Sequence, residues 1–319
     1  MNPLRIVGIT AAGEQISLFP LLELEYLDTW GTCAQSLSAR FLWEKALPEL
    51  TYLRLYQGDS LFFTGIVDQQ ELLLLQGCRY LDLQARGMGA LLLDNEAMPQ
   101  TYVNATLPQI FSRHIQPYGF DGIHCSTDPV LSCYTISKGT SEWEVLETFC
   151  LRTLGRVPRI DPVGQIWVDS SSTPNHLLLS NSGVGTPFLQ LQDTTKQQEV
   201  LSQVVVRDSQ YVYGTVVENP WSGSLPRRRY LIPASEWANY PSGNALLRIR
   251  ESMAAKWSLT AVVPGLLEIF PGDVVTVEDD ILSVSRQFVR QVCYTLGEKG
   301  AKTHITLGDG RFFQGEIGG

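Results

Sequence analysis

The sequence predicts an α+β fold that is mainly β, with two small β-barrel domains and an intervening small α/β domain. The chain has 319 residues, which is more than one hydrophobic core usually holds. Short apolar segments separated by Gly-containing turns occur near both ends of the chain, and two helix-capping sequences lie between them. We therefore expect a first barrel in residues 1–97, an α/β domain in residues 98–188, and a second barrel with one helix in residues 189–319.

The first region has the pattern of antiparallel strands joined by tight turns. Apolar segments at residues 52–56 and 61–67 flank a Gly-Asp turn sequence. In residues 79–85, Leu81 and Leu83 alternate with polar side chains. A period of two residues is typical of a strand with one buried face.

The middle region contains two predicted helices and a hairpin. Thr106 and Ser141 each begin a capping-box sequence, in which a polar side chain caps the first turn of a helix. The first helix is expected to end at Gly119 and the second near Gly155, because glycine favours the backbone conformation of a helix end. A hairpin and then loops at residues 170–175 and 181–187 are expected to follow.

From about residue 190 the sequence again favours strands. One helix is predicted over residues 244–257, and a hairpin of residues 289–296 and 303–307 ends the chain. The predicted buried face of that helix consists of Leu246, Ile249, Met253 and Trp257. The two β regions also resemble each other, since an apolar strand, a Gly-Asp turn and a second strand recur around Gly58 and Gly272. Duplication and chance similarity between two small barrels both remain open.

Composition and charge exclude several classes of protein. The formal net charge is -9, from 24 Lys and Arg and 33 Asp and Glu. Proteins that bind nucleic acids by neutralising phosphates usually carry the opposite balance, so we expect no specific nucleic-acid binding. The longest apolar runs are far shorter than a membrane span, and we expect no membrane association.

The cysteines and the N-terminus indicate a reducing compartment. The six cysteines are scattered without a C-x-x-C pair, so buried free thiols are favoured over disulfides. The first ten residues lack the basic and apolar segments of a secretory signal. We therefore expect synthesis in the cytoplasm.

The sequence contains no recognisable catalytic constellation. Motifs of zinc proteases, serine esterases, P-loop nucleotide-binding proteins and dinucleotide-binding proteins are absent. Of the four histidines, His114 is predicted to be a hydrogen-bonded, partly buried side chain, and His304 to face solvent. His124 and Cys125 would point to opposite faces of an extended segment and could not act as a pair. We expect no catalytic, cofactor-binding or metal-binding residues, and no enzyme activity.

Two charged runs have structural interpretations that outweigh functional ones. Residues 278–280 are acidic and lie between two predicted strands, where a solvated turn is favoured over a catalytic carboxylate pair. Residues 227–229 are three consecutive arginines. A solvated loop, or a contact at the rim of an assembly, is favoured there over a phosphate-binding site.

The order of segments resembles a known family. In the first half, the similarity is carried by a strand with the sequence T-G-x-V, a short helix, the sequence P-Y-G, and a second helix followed by a hairpin. In the second half, it is carried by a helix leading into a strand that ends in P-G, then P-G-D, then a last strand with T-x-L. These segments are Phe63–Asp68, Asn104–Phe111, His114–Phe120, Gly139–Leu146, Gly164–Ile166, Ala255–Gly265, Phe270–Val277 and Thr303–Leu307. Together they resemble the late-control hub family, the baseplate hub proteins of contractile phage tails and phage-tail-like bacteriocins.

The resemblance implies a structural protein rather than an enzyme. Members of this family form homotrimers in which two similar barrels per chain give a ring with pseudo-sixfold symmetry. Such a ring joins the tail tube to the central spike, so the implied partners are the spike, tail tube, tape-measure and other baseplate proteins. The implied location is the bacterial cytoplasm, followed by the baseplate of a particle released by lysis.

Two other functions remain as alternatives. One is a hydrolase of cell-wall glycan that uses a carboxylate pair on a β scaffold. The other is a carbohydrate- or receptor-binding β-module at a tail tip. The missing catalytic signature and the ordered family resemblance both favour the structural hub.

Overall fold

The computed structural model of the chain describes residues 4–169, 174–207, 210–233, 237 and 240–313. Among these residues, its largest element is an open sheet of thirteen strands. Residues 170–173, which belong to a predicted loop, lie outside the described residues.

The N-terminal region contributes seven strands and a short helix. They are β1 (Leu4–Thr10), β2 (Gln15–Leu18), β3 (Leu21–Thr29), β4 (Ser36–Leu42), β5 (Leu50–Gln57), β6 (Ser60–Leu75), β7 (Cys78–Gly87) and α1 (Ala90–Asp94). The predicted alternation in β7 is confirmed, because Leu81 and Leu83 are buried while Asp82 and Gln84 are not. The β6–β7 hairpin turns at Gln76 and Gly77, both with positive φ, as a two-residue hairpin turn requires.

The middle region forms a small α/β unit. Its elements are β8 (Gln100–Thr106), α2 (Leu107–Ile110), β9 (Ile123–His124), β10 (Val130–Ile136), α3 (Glu142–Leu154), β11 (Arg159–Ile160) and β12 (Ile166–Trp167). Both predicted caps are confirmed: the Thr106 hydroxyl accepts a hydrogen bond from the Gln109 amide, and Ser141 forms a complete capping box. After α2 the helical segment continues through a π-helical turn and a 3-10 turn. This segment ends at Gly119, whose φ is +88°.

The third region returns to the main sheet and carries a further small unit. Its elements are β13 (His176–Ser180), β14 (Gln190–Thr195), β15 (Gln203–Arg207), β16 (Tyr213–Glu218), β17 (Arg228–Leu231), α4 (Pro241–Lys256), β18 (Trp257–Pro264), β19 (Val274–Glu278), β20 (Val284–Gly297) and β21 (Gly300–Gly308). Strands β15 to β17 form a separate three-stranded sheet that packs against α4. The buried face of α4 includes Ile249 and Met253, as predicted, whereas Leu246 is only half-buried and Trp257 already belongs to β18.

The main sheet joins the two predicted barrels. Its strand order is β14-β18-β21-β20-β3-β4-β7-β6-β5-β1-β2, with β19 paired to β20 and β13 paired to β19. The antiparallel pairing of β20 with β3 therefore connects the first and third regions directly. Among the described residues the chain alone forms no closed barrel, and the division into two barrels stays a prediction.

An aromatic cluster fills the core at this junction. The rings of Tyr26 and Tyr294 are stacked at 5.5 Å between centroids, and Phe62 packs edge-on against both. All three side chains belong to one continuous hydrophobic core that draws residues from both regions. Because aromatic side chains bury large apolar areas, this cluster holds the two halves of the sheet together.

Two groups of five strands in this sheet repeat the same arrangement. Unit A is β3-β4-β7-β6-β5, and unit B is β14-β18-β21-β20-β19. Strand β4 of unit A is equivalent to β18 of unit B, and β7 is equivalent to β21. Equivalent residues are separated by the same number of positions along the chain, so that Leu37 lies opposite Ala85 as Leu259 lies opposite Leu307. Both long hairpins also contain an irregularity at the same place, after Val67 and after Val289.

The repeat differs from the one suggested by the sequence. When the same separation along the chain is applied to β5, Leu50 of unit A is equivalent to Gly272 of unit B. The Gly-Asp turns at Gly58 and Gly272 are therefore not equivalent. The apolar segment before Gly272 is not a strand. Its backbone amides at Leu267 and Ile269 donate instead to the hydroxyls of Thr303 and Tyr294.

The α/β unit is held against the sheet by buried polar contacts. The Gln35 side chain donates to the backbone oxygen of Ile160 at 3.2 Å, and Arg159 donates to the backbone oxygen of Pro271. Asp28 lies beside Arg159 and is fully buried. Burial raises the pKa of the Asp28 carboxyl, and the charge of Arg159 offsets part of that effect.

Candidate functional site

The exposed side of the main sheet forms a polar face. It is a shallow groove lined by side chains of β3, β4, β7 and β20, namely Glu23, Glu25, Ser38, Arg40, Asp82, Gln84 and Thr295. The strands place these residues together because alternate side chains point to opposite sides of a sheet. The apolar neighbours Leu24, Tyr26, Leu37 and Leu83 point to the core.

One basic side chain organises the carboxylates of the polar face. Arg40 donates to both oxygens of Asp82, at 2.8 Å and 2.7 Å, and lies 3.6 Å from Glu23. Paired donation of this kind fixes the orientation of both groups. Glu25 has no such cation among its described contacts, so the groove keeps a net negative character.

His304 lies on the same exposed face, as predicted, and its side chain is half-buried there. Burial and the nearby Lys302 lower the pKa of its imidazole, while Glu25 acts in the opposite direction. The histidine is therefore mostly neutral at pH 7. Its neighbour across the strand pair is Cys293.

The second half of β6 forms a free edge, which we define as residues 69–75. Its backbone pairs with β7 on one side, and among the described residues no strand pairs with it on the other. The edge is apolar over residues 72–75, with Leu72 at 54% and Leu74 at 71% exposure. Exposed apolar edges are normally protected by charge, proline or a covering element, so this edge is suited to pairing with another strand.

A cleft of about 650 Å³ separates α3 from α4. Its walls carry three glutamates, Glu144, Glu147 and Glu251, together with the basic side chains Lys138, Arg248, Arg250 and Arg290. Burial and the two neighbouring carboxylates raise the pKa of Glu147 from 4.5 to about 7. Sequence patterns could not find this group, because its carboxylate neighbours come from two helices that are distant in the chain.

The structure places the other histidines in structural roles. His114 is 3% exposed; its Nδ1 atom lies 2.6 Å from Glu142 Oε2 and its Nε2 atom 2.9 Å from the Tyr102 hydroxyl. The prediction of a hydrogen-bonded core histidine is therefore confirmed. The His124 ring stacks on Trp167, and His176 Nε2 lies 2.9 Å from the Thr276 hydroxyl.

Of the two charged runs in the sequence, the acidic one forms a turn and the basic one lies mostly in a strand. Asp279 accepts hydrogen bonds from the amides of Ile281 and Leu282, which lowers the pKa of its carboxyl and confirms a solvated turn. Arg228 and Arg229 lie in β17 rather than in a loop, although their side chains are exposed as expected.

The thiols and possible metal ligands give no site. All six cysteines are free, as expected; two are buried, three are half-buried and Cys78 is exposed, so the expected burial holds only for Cys33 and Cys150. Within the described ranges, no three metal-ligating side chains lie together. None of the described helices is both long and apolar enough to span a bilayer.

Comparison with solved structures shows which fold this is. A tail protein of Neisseria meningitidis MC58 superposes with a TM-score of 0.78 at 18% identity, covering 98% of both chains. A 43 kDa tail protein of prophage MuSo2 from Shewanella oneidensis gives a TM-score of 0.79 at 14% identity, also covering 98% of both chains. No protein-family model and no curated protein sequence matches the chain.

A third similar structure belongs to a secretion system. The E. coli c3393 protein, a component of the type VI secretion system with structural similarity to the T4 bacteriophage tail proteins gp27 and gp5, gives a TM-score of 0.58 at 13% identity. The alignment covers 96% of this chain and 76% of that one. The chain therefore has the fold of phage tail proteins and of proteins related to baseplates, as its sequence resemblance implies.

Proposed function

We propose that this chain is a structural baseplate hub of a contractile phage tail or a tail-like particle. In this role it forms a homotrimeric ring that joins the tail tube to the central spike. The observation that carries the proposal is the similarity to two tail proteins over 98% of both chains. An open sheet with a free apolar edge also fits a subunit that is completed by its neighbours.

The polar face then has a defined place in the ring. Because the other side of the sheet is packed against the hydrophobic core, the polar face is the side available to line a central channel. Its carboxylates outnumber its basic groups. A negative channel lining disfavours binding of DNA or of an acidic extended chain, so either could pass without adhering.

Light scattering on the purified chain tests the proposal. We expect a mass three times the 35.5 kDa of one chain, increasing in population with concentration or on addition of the spike protein of the same particle. A chain that stays monomeric with the spike protein present and binds neither spike nor tube protein contradicts the hub role. Binding to purified surface glycan in the absence of such affinity would favour a receptor-binding module instead.

One observation bears on the glycan hydrolase alternative. A carboxyl group whose pKa lies near 7, beside other carboxylates in a cleft, has the protonation state that a general acid needs. Clearing of a peptidoglycan suspension by the purified chain, abolished by Glu147→Gln, would establish that alternative. We expect no clearing by either protein.

A further inference from the structure

The contact between units A and B inside one chain provides a template for a contact between chains. Residues 291–296 of β20 pair with residues 24–29 of β3 in antiparallel register. Tyr294 lies opposite Tyr26 and is 2% exposed. The second half of the unit B hairpin is therefore completed by the first strand of unit A.

The equivalent half of the unit A hairpin is the free edge. The constant spacing between the units makes Leu72 equivalent to Tyr294 and Leu74 equivalent to Leu296. Tyr294 is almost wholly covered, whereas Leu72 is 54% exposed. The equivalent position is thus buried in unit B, where it is Tyr294, and solvent-exposed in unit A, where it is Leu72.

The strand that would complete the free edge is also identified by the repeat. Strand β14 of unit B is equivalent to β3 of unit A, since Leu191 lies opposite Ala261 as Leu24 lies opposite Ala39. Among the described residues, β14 pairs only with β18, so its outer edge is unpaired. In the single chain, β14 and the second half of β6 are the first and last strands of the row β14-β18-β21-β20-β3-β4-β7-β6. They could pair with each other only if this row closed on itself.

We propose that the free edge of one copy pairs with β14 of a second copy, in the register of the β20–β3 contact. In that register Leu72 lies opposite Asp193, Leu73 opposite Gln192 and Leu74 opposite Leu191. Each copy offers one edge and accepts the other, so the contact is head-to-tail and continues until a ring closes. This inference rests on the proposed ring-forming role and names the strands that form the ring.

The physical gain comes from two sources. Backbone amides and carbonyls that face water along both edges form an inter-chain ladder, as in other cases of strand addition. Leu74 loses water contact against Leu191 of the neighbouring chain, as Leu296 does against Leu24 inside one chain.

Disulfide formation between copies tests the register. In a Cys78→Ser background, which removes the exposed native thiol, Leu73→Cys is placed in one protein and Gln192→Cys in another. We expect a disulfide-linked dimer when the two are mixed and oxidised, and none from either alone, because directly opposed residues of adjacent strands are within disulfide range. The matched control replaces Gln192→Cys by Thr195→Cys, three residues away and about 10 Å out of register. It should crosslink at least about tenfold less.

A second variant tests the edge without cysteines. Leu74→Asp places a charge on the free edge, and we expect loss of the oligomer in light scattering with an unchanged melting temperature, since Leu74 is already exposed in the single chain. The control is Leu225→Asp, at another exposed leucine, which should leave the oligomer intact.

The outcomes separate the inference from the proposed function. An oligomer that survives Leu74→Asp, or that crosslinks equally well through Thr195→Cys, overturns the β6–β14 pairing but leaves a ring formed by another surface. A chain that stays monomeric at every concentration and with the spike protein present overturns both.

Discussion

The residues that stabilise the α/β unit include a buried polar chain centred on His114. Its Nδ1 atom donates to the Glu142 carboxylate, which also accepts a hydrogen bond from the Tyr118 hydroxyl at 3.2 Å. The Nε2 atom is then free to accept from Tyr102. Tyr102, His114, Glu142 and Tyr118 are thus linked in series by hydrogen bonds, and removal of one member leaves the next without its partner.

We expect Glu142→Ala to lower the free energy of unfolding by about 2–4 kcal/mol, because it leaves a buried imidazole N–H without an acceptor. Urea denaturation of the full chain measures the change. The control is Glu199→Ala, at an exposed position, which should change stability by no more than about 0.5 kcal/mol. Equal effects of the two substitutions would show that the buried chain contributes nothing.

Glu147 makes stability depend on pH. Its pKa is raised in the folded protein from 4.5 to about 7, so the folded state favours the protonated carboxyl. The resulting stabilisation is complete below pH 4.5 and is lost as the pH rises through 7. We expect Glu147→Gln to be more stable than the wild type by about 1–3 kcal/mol at pH 8, and this difference to shrink towards pH 4.5. Denaturation curves at both pH values measure it; a difference that is constant with pH contradicts the assignment.

At the scale of elements, the signals that could be read from the sequence are local ones. Thr106 and Ser141 predict the starts of their helices because a helix cap involves residues only three positions apart in the sequence. The alternation of Leu81 and Leu83 likewise identifies the buried face of β7. Periodicity does not say which strand lies beside which, and so the pairing of Tyr294 with Tyr26 and the joining of both regions into one sheet could not be predicted.

The candidate surfaces were less predictable than the fold for the same reason. The polar face brings together residues from four strands, and the free edge is defined by the absence of a neighbouring strand. Leu72 to Leu75 are visible in the sequence as an apolar run, but a buried strand would have the same composition. Only the repeated register shows that this run lacks the partner that β20 has.

The unit formed by β15 to β17 and α4 is an insertion into a repeated framework. Residues 196–256 stand where unit A has only the short connection of residues 29–34. Because β14 and β18 pair with each other at the base of this unit, the framework does not need it for its register.

We expect a chain in which residues 196–256 are replaced by a Gly-Ser linker as long as residues 29–34 to fold with its main sheet intact. The packing of Val200 and Met253 against Phe312 would be lost, which lowers the melting temperature. Circular dichroism should show loss of the α4 helix signal with retention of the β signal and one cooperative unfolding transition. A non-cooperative transition would show that the framework depends on the insertion.

For the whole molecule, the repeated five-strand unit relates the fold to assembly. One chain contains two such units and one contact between them, while the free edge of unit A and the outer edge of β14 in unit B remain without partners among the described residues. A single chain is thus an open segment of a structure that a set of identical chains can close. In the proposed ring, the polar face would form the inner surface, because the other side of the sheet is packed against the hydrophobic core.

The contact between β20 and β3 is formed within one polypeptide. Its two strands are therefore held at an effective concentration of about millimolar or higher, whatever the amount of protein present. Equivalent strands on separate chains meet only at the actual concentration of the protein. Folding of the subunit is then independent of copy number, whereas closure of the proposed ring would follow mass action and respond steeply to the amount of protein synthesised.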